Sequence, residues 1–98
     1  MNDAEVRAGW RNLGIVVAEL RNHGQAAVAD QLVEGVQCAS TSGEIYSGVG
    51  HTLMQHRVLR KSLTSAGSAA WAGALDDIDR AHGMPGYMRW LMRLWRKL

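Results

Sequence analysis

Apolar residues recur along this chain at helical spacing, with glycine, serine or proline between the runs. Val6, Trp10, Leu13, Val17 and Leu20 line one face of a helix expected over 3–23. Asn2 and Glu5 stand at capping-box spacing at its start, and Gly24 sits where a left-handed cap would stop it. Val28, Leu32, Val36 and Ala39 give a second stripe over 25–39, ended by Ser40-Thr41-Ser42, whose side chains compete for backbone hydrogen bonds. Thr41-x-x-Glu44 is a capping box for a third helix over 42–64, striped by Ile45, Val49, Leu53, Leu59 and Leu63. Gly48 and Gly50 weaken its first half, so a kink or break is expected near Gly50. Ser68 is a good N-cap for a fourth helix over 68–82, with Trp71, Leu75 and Ile78 on one face. The Gly83-Met84-Pro85-Gly86 connector then leads into a fifth over 86–98. Strand signals are weak and no internal repeat is visible. The pattern predicts an all-α fold, a compact helical bundle of about five helices in a single domain over 1–98.

Composition narrows the class. At 98 residues, 47% hydrophobic and 20% charged with one proline, the chain is neither collagenous nor disordered. Its single cysteine, Cys38, cannot form an internal disulfide, which points to a reducing, cytoplasmic setting. The first residues are acidic and lack the apolar run of a secretory leader, and the longest apolar stretch, Leu13–Ala18, is far too short to span a bilayer. The net charge of +2 hides two unlike parts. Residues 84–98 carry Arg89, Arg93, Arg96 and Lys97 and no acid (+4), whereas residues 1–83 carry seven Lys/Arg against nine Asp/Glu (−2).

No linear arrangement carries chemistry. His51 and His56 are five apart, about 140° around a helix, and cannot share a metal. His56 falls within the apolar stripe and reads as a core histidine holding one hydrogen bond; buried and neutral there, it would make the fold acid-sensitive. Glu44 and His51 share a face two turns apart, with Met54 beside them. They lack a nucleophile and an orienting group, so this face reads as a second contact surface. Cys38 has no local partner to lower its pKa. Gly48-x-Gly50 lacks the strand and third glycine of a dinucleotide fingerprint; close helix approach is its expected use, and that of Gly9, Gly14, Gly35 and Gly73. Asp76 and Asp79 share a face, Asp77 points elsewhere, and the cluster is expected to meet the arginines of the last helix. The reading is therefore no catalytic residue, no metal and no cofactor.

The final segment is the least ordinary. Tyr87, Met88, Trp90, Leu91, Met92, Leu94, Trp95 and Leu98 cover about 200° of a helix, against roughly 100° for a helix packed on one neighbour. The excess suits a groove in the same chain, a partner surface or a membrane interface. The expected function is that of a non-enzymatic small helical protein of inhibitor, immunity or adaptor type. It would bind another protein, with self-association as a homodimer in view. Trp90, Leu91, Leu94 and Trp95 would anchor the contact, Arg89, Arg93 and Arg96 would form a steering rim, and Glu44, His51 and Met54 would offer the second face. The alternative is a peripheral membrane protein anchored by the last helix. A nucleic-acid binder ranks third, because a recognition helix opening Gly43-Glu44-Ile45-Tyr46-Ser47 has no base to meet phosphate.

Overall fold

The structure is a computed structural model that describes residues 2–82. Those residues form an all-α helical bundle, with α1 at Asp3–Gly9, α2 at Arg11–Asn22, α3 at Ala26–Gln37, α4 at Ser42–Gln55 and α5 at Ser65–His82. A 3-10 segment, Arg57–Ser62, joins α4 to α5, and the described residues contain no strand. The helix expected over 86–98 lies outside the described residues.

The packing order is simple. Each of α2, α3, α4 and α5 packs on the next, and α5 returns to α2, closing a ring of four helices. The short α1 lies across α2 and touches α3. Leu13, Val16, Val17 and Leu20 of α2, Leu32 of α3, Val49 and Leu53 of α4 and Trp71 of α5 are essentially sealed from solvent inside this ring. Side chains of this kind contribute about 1.5–3 kcal/mol each when fully buried, so the seam around α2 is where the fold is made.

Local signals act largely as expected at the helix ends. The Asn2 side chain accepts the Glu5 backbone N–H at 2.9 Å. Gly24 adopts φ 76° after α2, a conformation open to glycine at little cost. Thr41 Oγ1 accepts the Glu44 N–H at 3.2 Å, while the Glu44 carboxylate accepts the Ser40 N–H at 3.0 Å, one residue before the usual capping-box donor.

Three expectations are corrected. The helix expected over 3–23 is two helices, parted at Trp10, which is extended (φ −147°, ψ 91°). Its N–H still bonds Val6 O (2.7 Å) and its carbonyl still accepts from Gly14 (2.9 Å), so the pivot residue keeps both of its own backbone bonds. The turn lays α1 against α2, and a Cβ on Gly14 would stand 2.5 Å from Arg7 Cα. Secondly, the helix expected over 42–64 does not break near Gly50. It runs through Gly48 and Gly50 to Gln55, then tightens into the 3-10 segment that brings Leu59 and Leu63 onto the core. Packing of Val49 and Leu53 outweighs the low helix propensity of the two glycines. Thirdly, the last described helix starts at Ser65 and not after Ser68. Thr64 Oγ1 accepts the Gly67 N–H at 3.2 Å, and Ser68 Oγ instead accepts from Arg60 Nε at 2.9 Å.

Candidate functional site

The residues predicted as partner anchors, Arg89, Trp90, Leu91, Arg93, Leu94, Trp95 and Arg96, lie outside the described residues. The second predicted face is split by the structure. Glu44 and His51 are exposed on α4, whereas Met54 is 8% exposed and belongs to the core. Its side chain points to α4's packed face, so it fills volume inside the bundle and offers a partner little surface. His56 is also corrected. It caps the end of α4, half-buried, with Nε2 3.1 Å from Gln31 Oε1 of α3, and is not a core residue. Cys38 is an exposed thiol at the end of α3.

A different feature emerges where α1, α3, α4 and α5 converge. A recess of about 360 Å³ is lined by Glu5, Val6 and Gly9 of α1, Trp10 at the pivot, Val36 of α3, Ser42, Ile45 and Tyr46 of α4, and Asp77 of α5. Its volume lies at the lower end of the range for bound organic groups, enough for a large side chain. The lining is mostly aliphatic and aromatic, with carboxylates from Glu5 and Asp77 at its walls.

The geometry follows from the pivot. An extended Trp10 swings its indole out of the α1–α2 stripe and across to α5. There its Nε1–H donates to Asp77 Oδ2 at 2.8 Å, and Asn12 Nδ2 donates to the same oxygen at 3.0 Å. Arg80 Nη2 donates to Asp77 Oδ1 at 2.8 Å. Burial pushes the Asp77 carboxyl up, but the hydrogen bonds from Asn12, Trp10 and Arg80, with the arginine's charge, outweigh it and hold the group below its usual range. Asp77 is therefore ionised and fully engaged, which suits a fixed wall better than a proton donor. The Trp10 ring meets the Tyr46 ring edge-on, with centroids 5.2 Å apart and planes at 66°. One polar tie and one ring contact thus fix the aromatic side of the recess.

A second network ties α1 to α2 and α3. Arg21 of α2 reaches Asp3 of α1 at 2.6 Å and Asp30 of α3 at 2.9 Å. The hydrogen bonds to Asp3 and Asp30 raise the Arg21 pKa further above its already high value, so the guanidinium is charged throughout. At its exposure, each pair contributes at most about 1 kcal/mol.

Sequence reasoning placed Trp10 in the core stripe and turned Asp77 away from the acidic pair; it did not bring the two together. A usable signal was present, since an enclosed tryptophan N–H needs an acceptor, but nothing linear chooses Asp77 for a donor 67 residues away. Among the described residues no group of three or more His, Cys, Asp or Glu could hold a metal, and no helix is long and apolar enough to cross a membrane. No protein-family model matches the chain, and no curated protein or solved structure is significantly similar to it.

Proposed function

We propose that this chain is a non-enzymatic binding module of inhibitor, immunity or adaptor type, and that the recess at Trp10 and Tyr46 receives part of another polypeptide. The observation that carries this reading is an apolar, aromatic-lined recess with two carboxylates at its walls. Such a lining favours an aromatic or aliphatic anchor followed by a lysine or arginine. The anchor would be desolvated against Val36, Ile45 and Tyr46, and the cation would stay near Glu5. The segment holding Trp90, Leu91, Leu94 and Trp95 supplies a second contact surface in this reading, with Arg89, Arg93 and Arg96 around it.

The test is a selection from displayed random peptides on the full chain, repeated on Glu5→Lys. Glu5 is exposed, so reversing its charge leaves the core intact. Enriched peptides should pair a large apolar residue with a nearby base and bind Glu5→Lys several-fold more weakly, as expected when a rim charge is reversed. Absence of enrichment, or peptides indifferent to Glu5→Lys, would remove the recess as a receptor.

A further inference from the structure

We propose that the recess recognises an N-methylated ammonium group, and that the basic residue presented by its polypeptide partner is a methylated lysine. This rests on the recess being a polypeptide receptor and names the cation it takes. Three observations point the same way. The first is ring geometry. Trp10 and Tyr46 both line the recess, with ring planes at 66° and centroids 5.2 Å apart. A single cation in that corner can stand within about 6 Å of both centroids, the range over which an aromatic ring attracts positive charge, and tryptophan attracts it best. The Trp10 N–H donates to the ionised Asp77 carboxylate at 2.8 Å, which polarises the indole in the favourable sense.

The second is charge. Arg80 matches the charge of Asp77 at 2.8 Å, whereas Glu5 is exposed and has no ion-pair partner among the described residues. The recess therefore keeps the Glu5 carboxylate for a ligand. The third is the supply of acceptors. Asp77 already takes hydrogen bonds from Trp10, Asn12 and Arg80, so it offers little to a further donor. Apart from Glu5 and the hydroxyls of Ser42 and Tyr46, the rest of the lining is apolar. An unmodified lysine brings three N–H donors and a tightly held hydration shell, and both are costly to carry into such a lining. Methyl groups remove the donors, keep the charge and offer the rings an apolar skin. An uncharged anchor, for its part, makes no use of Glu5.

The experiment uses the full chain and a peptide enriched on it by selection. The peptide is synthesised with lysine, with trimethyllysine or with the uncharged tert-butyl isostere at its basic position, and each form is titrated while the Trp10 indole N–H resonance is followed. Trimethyllysine should bind about tenfold more tightly than lysine, and several-fold more tightly than the isostere. In Tyr46→Leu, its fold checked by a thermal melt, the preference over lysine should drop to about twofold; full retention there would remove the ring corner. The wild-type series decides alone should that variant not fold. Equal or tighter binding of the lysine form would mean a plain ion pair with Glu5, and equal binding of the isostere a plain apolar contact. Either overturns the proposal and leaves the receptor reading intact. Tetramethylammonium chloride, compared with sodium chloride at the same ionic strength, and phosphatidylcholine vesicles stand for other sources of the same group. Binding of either without binding of any peptide would overturn the polypeptide partner. No binding of any probe would instead count against the receptor itself.

Discussion

The α1–α2 junction and the middle of α4 form an instructive pair. At the junction, no proline interrupts the run, yet the helix parts at Trp10. In α4 two glycines stand two residues apart, yet the helix continues past both. The difference lies in what each backbone packs against. Trp10 gains a hydrogen bond on α5 and a ring contact on α4 by leaving the helical conformation, and Gly14 lets the backbone of Arg7 lie directly against α2. Around Gly48 and Gly50 the sealed side chains of Val49 and Leu53 hold the segment helical, and a Cβ added to Gly35 of α3 would stand 3.4 Å from Val49 Cγ2, at ordinary contact distance. Tertiary contact overrides local propensity in both places, in opposite directions.

The largest expected effect strikes the junction. Gly14→Ala drives a methyl group into the backbone of Arg7, which cannot rotate away. Stability should fall by about 2–3 kcal/mol, and Tm by roughly 10–20 °C. A thermal melt within a few degrees of wild type would mean that α1 is not held against α2. Asp77→Ala comes next. It leaves the Trp10 and Asn12 donors without their acceptor and should cost about 1–2 kcal/mol in urea unfolding, with a displaced Trp10 indole N–H resonance. Because the folded state holds the Asp77 carboxyl below its usual range, the tie is complete above about pH 4 and is lost as pH falls through the lower folded value. The wild-type advantage over Asp77→Ala should shrink correspondingly in acid. The smallest effect runs the other way. Gly48 is exposed, and a Cβ there meets nothing within 4 Å, so Gly48→Ala should stabilise by about 0.5–1 kcal/mol. A loss on making that change would show that α4 needs a glycine there after all.

Much of the bundle could be read before any coordinates. Stripes such as Val28–Leu32 and Trp71–Leu75–Ile78, and caps such as Asn2, Gly24 and Thr41, are local, and local physics writes them into short windows. The exceptions share a cause. The pivot at Trp10, the unbroken α4 and the early start of α5 at Ser65 each depend on a neighbour distant in sequence or on a competing use for the residue, as when Ser68 serves Arg60 and does not cap. Met54 and His56 went astray for a related reason. Met54 stands one turn after the buried Gly50 and so faces inward, whereas His56 lies just past the end of α4 at Gln55, which brings it to the rim. The recess was invisible because it draws on four helices, and no window of sequence contains more than a fraction of its wall.

The return of α5 to α2 also has a kinetic consequence. Arg21 and Asp30, which tie α2 to α3, are nine residues apart, whereas Asn12 and Asp77 across the closing seam are separated by 65. Bringing the distant pair together from an open chain costs roughly 2 kcal/mol more in loop entropy. Hairpins of neighbouring helices can therefore assemble quickly on their own, and the rate of reaching the native ring is governed by the encounter of its first and last staves.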